Sequence, residues 1–173
     1  MEGGLPGRRT GVLLAAALLV CAMGVCARPA AQPEIALTDH EAALFALLNE
    51  ARAARGLRAL ALDPALTEAA RGHAADMARR CYLSHFAAPP APRTPVDRYA
   101  RALGRLPMTV VGENIARARQ ATMEAIHRDL IESQGHRGNL LAPGYVAVGL
   151  GVEVREDGVW VTQMFRGELP ERR

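Results

Sequence analysis

Few side chains in this sequence are placed to do chemistry: His73, His85, Glu113, His127, Glu132, His136 and Asn139 stand out among 173 residues. His85 lies in Ser84-His85-Phe86, where a helical pattern gives way to a proline-rich stretch. His136 lies in Ser133-Gln134-Gly135-His136-Arg137, after another helical pattern. Glu113 stands in Gly112-Glu113-Asn114, where the glycine implies a close backbone approach or an unusual turn. All three are expected on loops, where functional side chains concentrate. Two imidazoles and a carboxylate admit two readings: a divalent metal site, with zinc favoured by nitrogen ligands, or a hydrogen-bonded polar cluster. HExxH, paired CxxC, GxSxG and phosphate-loop patterns are all absent from the sequence. His73 falls on an apolar helical stripe and reads as a buried histidine bonded to a neighbour. His127, in a charged helical segment, and His40, in a first helical turn, read as exposed.

The elements that must position these groups follow from periodicity and end signals. Thr38 followed by Glu41 is a capping-box signature. Leu44, Leu47, Leu48 and Ala51 then recur at helical spacing, with Glu50, Arg52 and Arg55 pointing elsewhere, and Gly56 is the expected left-handed stop. Asp63-Pro64 opens a second helix whose stripe is Leu66, Ala69, Ala70, His73, Ala74 and Met77. Its many alanines predict a close approach to whatever it packs on. Thr94-Pro95 caps a third helix through about Leu103, and 121–133 reads as a fourth. Val146–Val154 and Val159–Phe165, joined by Glu156-Asp157-Gly158, form a predicted β-hairpin, and Thr109–Val111 adds a short strand. Helices first and an antiparallel hairpin last give an α+β fold class.

Composition narrows the function classes. With 50% hydrophobic and 23% charged residues the chain is suited to a folded core, and collagen, coiled coil and wholesale disorder are excluded. All 21 basic residues are arginine, scattered and nearly matched by 18 acids, so nothing indicates nucleic-acid binding. Arg8-Arg9, an apolar run from Val12 to about Ala27 and the small residues of Val25-Cys26-Ala27 predict a secretory leader over 1–27. The paired arginines keep twin-arginine export open, and Cys21 and Cys26 keep lipid anchoring open, as does an uncleaved membrane anchor. Residues 28–37 read as a linker, 38–168 as one domain and 169–173 as a tail. Cys81 is then the one cysteine outside the leader, expected as a small packed residue at a helix end.

Five stretches in order resemble the CAP superfamily, the cysteine-rich secretory, antigen 5 and pathogenesis-related proteins, also called SCP-like domains. They are LLNEARAARGLRALALDPALTEAARGHAADMA, SHF, GENIA, ESQGHRGNLL, and YVAVGLGVEV with WVTQMF, together covering about 41–166. The short, cysteine-poor form is similar to the bacterial branch. The resemblance implies an α-β-α sandwich, a small antiparallel sheet between helical layers. It also implies a cleft holding a His, Glu, Glu, His set. Carried over by motif, these are His85, Glu113, Ser133 in place of the second Glu, and His136. Glu132 is adjacent to Ser133 but points about 100° away on a helix. Asn114 and Asn139 are assigned structural support, holding the turns that aim Glu113 and His136. Loss of the second carboxylate weakens a catalytic reading, and Glu113 is the catalytic candidate if there is one. His85 and His136 remain as metal ligands, with Zn2+ the cofactor implied and no nucleotide or haem.

The functional expectation is an extracytoplasmic, non-enzymatic binding module, secreted or periplasmic and monomeric. Its ligand is an unidentified extracytoplasmic molecule, with a lipid or cell-envelope component among the candidates. Two alternatives stand beside it: a carrier of sterol or another lipid, and a metal-dependent hydrolase.

Overall fold

A computed structural model describes residues 35–168, together with Met1 and Gly3. The rest of the expected leader, most of the linker and the tail 169–173 lie outside the described residues. The elements are α1 (Asp39–Ala53), β1 (Ala61–Leu62), α2 (Pro64–Arg79), α3 (Pro95–Leu103), β2 (Val111–Ala118), α4 (Met123–Glu132), α5 (Gln134–Leu140), β3 (Tyr145–Arg155) and β4 (Gly158–Gly167).

The helix starts match their sequence signals. Thr38 and Glu41 form the capping box of α1, and Asp63 caps α2 with Pro64 in the first turn. Thr94 and Asp97 make a second capping box on α3. Glu41 does more than cap. Its buried carboxylate also receives Arg71 Nε at 2.8 Å and Nη2 at 2.5 Å, a two-pronged pair that fixes α2 to the start of α1.

The strands form one sheet in the order β1-β3-β4-β2. β3 and β4 are the predicted antiparallel hairpin, with Val154 opposite Val159 and Arg155 opposite Gly158. β2 lies antiparallel along the far side of β4, and the two-residue β1 joins the other edge in parallel, at Ala61↔Ala147. Alternation along β3 and β4 sorts the two faces. Val148, Leu150, Val159, Val161 and Phe165 meet Leu44 and Leu48 of α1, Met123, Ile126 and Leu130 of α4, and Leu140 of α5. On the opposite face, Met164 packs with Leu66, Ala69 and Ala70 of α2 and Tyr99 of α3, while Trp160 and Ile115 pack with Met77 and Ala78. The sheet is thus enclosed by helices on both sides, an α-β-α sandwich.

The closest approach is α2 on β3. Gly149 and Gly151 lie under it, and a Cβ on Gly151 would collide with backbone atoms of Ala70 and Arg71. The alanines of α2 and the glycines of β3 are two halves of one device that brings backbone onto backbone.

Several expectations are corrected. The short strand placed at Thr109–Val111 is instead β2, which starts at Val111 and runs through Gly112, Glu113 and Asn114 to Ala118. Those residues are poor strand formers alone, and eight paired positions on β4 override the preference. His136 is on a helix, α5, not a loop. Gly135 and Gly138 mask that helix in the sequence. Arg52, expected to face away from the core, is fully buried. It donates to the carbonyls of Arg58, Leu140 and Ala142 and so pins the end of α5 to α1. His127 is buried rather than exposed, because Met123, Ile126, His127 and Leu130 form the stripe of α4 facing α1.

Cys81 is exposed rather than packed. At φ 54° it takes the left-handed position after α2 that glycine usually fills. The Tyr82 N–H returns to the Met77 carbonyl at 3.1 Å, closing the helix and aiming the next segment toward β2.

Candidate functional site

The site lies along the outer edge of β2. Glu113 pairs opposite Met164 and shares its face with α2 and α3, whereas Asn114 pairs opposite Gln163 on the face covered by α1, α4 and α5. Consecutive residues of one edge strand therefore reach into both layers.

The segment carrying His85 is tied to α2 at two points. Tyr82 donates its hydroxyl to Asp76 Oδ2 at 2.7 Å, and His73 Nε2–H donates to the Ser84 carbonyl at 2.9 Å. His85, with 45% of its side chain exposed, then donates Nδ1–H to Glu113 Oε1 at 2.8 Å. The second oxygen of Glu113 is also engaged: Arg98 Nη2 donates to Oε2 at 2.5 Å. Arg98, on α3, has no counterpart among the residues the sequence singles out. It is one buried arginine among 21 scattered basic residues, and no motif flags it.

From the other layer, α5 brings His136. Asn114 Nδ2 donates to the His136 carbonyl at 3.1 Å and to Gln163 Oε1 at 3.2 Å. Asn139 Nδ2 donates to the Glu113 carbonyl at 3.0 Å and to Asn114 Oδ1 at 2.9 Å. Neither asparagine holds a turn through its own backbone. Each instead stitches α5 to β2, across the gap between helix and strand. Tyr145 donates to Asn139 Oδ1 at 3.3 Å, and its ring end occupies the space a Cβ on Gly112 would need. That is the close approach Gly112 signalled. Ser133 caps the start of α5, half-buried, one turn before His136. Glu132 is exposed at the end of α4.

The structure thus joins His85 and Glu113 directly, links Glu113 to His136 through the two asparagines, and leaves Glu132 and His127 outside. Burial lowers the pKa of His136, and the neighbouring His85 lowers it further. His136 is consequently neutral near pH 7 and able to offer a lone pair. Among the described residues there is no group of three or more His, Cys, Asp or Glu side chains arranged to hold a metal. The two imidazoles of the site are His85 and His136, and the hydrogen bond at His85 Nδ1 does not engage its Nε2. A carboxylate behind a histidine is the usual support of a metal-bound imidazole. Each oxygen of Glu113 already accepts one hydrogen bond.

Burial also lowers the pKa of His73, with Arg98 adding to it against Glu113 and Asp76, and lowers that of His127 against Glu50. These histidines fold neutral, while the unfolded chain takes up protons near the ordinary value of 6.5. Their contribution to stability is therefore complete above that value and is lost as pH falls through the lower folded values. Urea unfolding should show a clearly lower midpoint at about pH 5.5 than at about pH 7.5. A flat profile over that interval would show that the buried imidazoles are not neutral in the fold.

A small, mostly antiparallel sheet between two helical layers, with His85, Glu113 and His136 gathered about its edge strand, defines an α-β-α sandwich protein. Residues 45–165 match the family described as CAP, the cysteine-rich secretory protein family, and the chain belongs to it. It is 32% identical over 132 residues to the uncharacterized protein YkwD of Bacillus subtilis (strain 168), covering 76% of this chain and 49% of YkwD. The chain therefore spans about half the length of that relative. An extracellular protein of Bacillus anthracis containing an SCP domain is 30% identical with a TM-score of 0.65, over 78% of this chain and 45% of its own. An outer surface protein of Borrelia burgdorferi shares the fold at TM-score 0.67 and 15% identity, over 78% of this chain and 97% of its own.

Proposed function

We propose that this chain is an exported, non-enzymatic binding module whose cleft takes a divalent metal ion, zinc foremost, between His85 and His136. The observation that carries this reading is the bond from His85 Nδ1 to Glu113, which leaves the Nε2 lone pair unused by that bond. His136, neutral through burial, supplies the second imidazole. Zinc held by two imidazoles would offer open positions to an oxygen or nitrogen ligand of the bound molecule.

The same geometry argues against hydrolysis. Both carboxylate oxygens of Glu113 are engaged, one by the buried Arg98 guanidinium and one by His85, which favours a holding role for this carboxylate over proton transfer. By the motif match, Ser133 stands where the family has its second carboxylate. Export is supported by the leader pattern and by the extracellular and outer-surface relatives. Among the described residues, no helix is long and apolar enough to cross a membrane.

Zinc titration calorimetry on the metal-stripped protein tests the reading. Saturation at about one equivalent is expected, and its loss in the His85→Ala/His136→Ala double variant. Absence of saturable binding in the unmodified protein would remove the metal from the proposal.

A further inference from the structure

Arg98 is the most constrained charged side chain near the cleft, and neither the family motif nor the metal reading gives it a role. Its side chain is 4% exposed, and its guanidinium does two separate jobs. Nη1 donates to the carbonyls of Pro92 and Arg93, which anchors the proline-rich segment to α3. Nη2 donates to the His85 carbonyl at 3.1 Å and to Glu113 Oε2 at 2.5 Å. His85 is therefore gripped at both ends by the same cation: directly at its backbone, and through the Glu113 carboxylate at its ring.

We infer that Arg98 is a positioning residue for the cleft: by fixing the Glu113 carboxylate and the His85 backbone together, it holds His85 as the Nδ1–H tautomer with Nε2 turned to the ligand. This deepens the metal reading and rests on it only for what occupies Nε2.

The physical argument is rotational. A carboxylate held by one hydrogen bond to a half-exposed ring turns easily about its last bonds, and a broken Glu113–His85 contact costs little where water can replace it. With Oε2 locked on a buried guanidinium, Oε1 has one place to point, and His85 Nδ1 is there. Planar, forked donors do this better than a point charge, because several bonds share one rigid frame. His85 has little else to hold it. Its side chain is 45% exposed, so its ring orientation depends on that single contact. His136 needs no such partner, since α5 is stitched to β2 by Asn114 and Asn139.

The test uses the metal-free full chain at about pH 8, where imidazoles are neutral. Nitrogen-detected NMR reports each histidine's tautomer, and a His85→Gln variant identifies the His85 signals among the five histidines. The unmodified protein should show His85 as the Nδ1–H form. Arg98→Gln should give a mixture of tautomers at His85, with the signals of His127 unmoved. Arg98→Lys, keeping the cation, should recover the Nδ1–H form in large part. Zinc affinity should fall roughly 10- to 100-fold in Arg98→Gln, the usual effect of removing an outer support of a metal-bound histidine.

Two results would overturn the inference: a His85 that is Nε2–H in the unmodified protein, or an Arg98→Gln variant that retains both the tautomer and the zinc affinity. The first needs no variant to fold. If the unmodified protein binds no zinc while the tautomer still responds to Arg98, the metal reading fails and the positioning role stands.

Discussion

Replacing Gly151 with alanine is expected to destabilise the protein by about 3 kcal/mol, the upper end of what overpacking a well-filled interior costs. The added Cβ would meet Ala70 and Arg71 at backbone atoms, not at the tip of a movable side chain. Relief requires α2 to lift away from β3 along its length, which opens the Leu66–Ala70–Met164 contact on that face. Gly149→Ala should behave alike, since its Cβ would run into the backbone of Leu66 and Thr67. Gly72→Ala is the contrasting case: on the open side of α2 a Cβ there meets nothing within 4 Å. Exchanging a mid-helix glycine for alanine should then stabilise by about 0.5–1 kcal/mol. Urea unfolding of the three variants reads these signs directly. A Gly151→Ala protein as stable as the original would mean that α2 does not sit on the sheet as described.

That interface also shows what the sequence makes readable. The alanine-rich stripe of α2 announces a close partner, but only the sheet reveals that Gly149 and Gly151 are the complementary half. Capping residues name their own helices, because Thr38, Asp63 and Thr94 bond to backbone three residues away and need no tertiary context. The hairpin is equally local. β2 and α5 are the opposite case. Each is built of residues that disfavour its conformation, and each exists because distant groups hold it: β4 pairs along all of β2, and Arg52 and Asn139 fasten α5. The two elements that carry Glu113 and His136 are therefore the ones whose sequence reads as loop.

The site divides in the same way. Motif order singles out His85, Glu113 and His136, and the fold places them about one strand edge. What pattern cannot supply is the arrangement behind them. Asn114 and Asn139 read as turn residues in the sequence, yet they bridge helix to strand. Arg98 carries no local signature, because a buried arginine and a surface arginine look alike in a chain whose only long cation is arginine. The Tyr82–Asp76 and His73–Ser84 bonds that aim His85 are likewise products of the left-handed turn at Cys81 that follows α2.

Removal of Glu113 is expected to be among the costliest single changes at the site. Its side chain is 1% exposed and its partner Arg98 4%, so Glu113→Leu leaves a guanidinium in the interior with no counter-charge. Breaking one side of a buried pair costs about 4 kcal/mol, mostly the penalty of the stranded charge. The His85 contact to the same carboxylate contributes far less, because that ring is nearly half in water. His85→Ala should therefore cost under about 1 kcal/mol. Arg98→Met alone strands the carboxylate and should be comparable to Glu113→Leu. The double variant removes both charges, and its loss should be smaller than the sum of the single losses by about 2 kcal/mol or more. Equilibrium unfolding of the four proteins closes this cycle. Additive losses would mean that the two groups do not feel each other, and the pair would then have to be water-filled in solution. A large coupling would identify Arg98–Glu113 as a fixed buried strut, and a rigid strut is what allows the half-exposed His85 imidazole to keep one orientation.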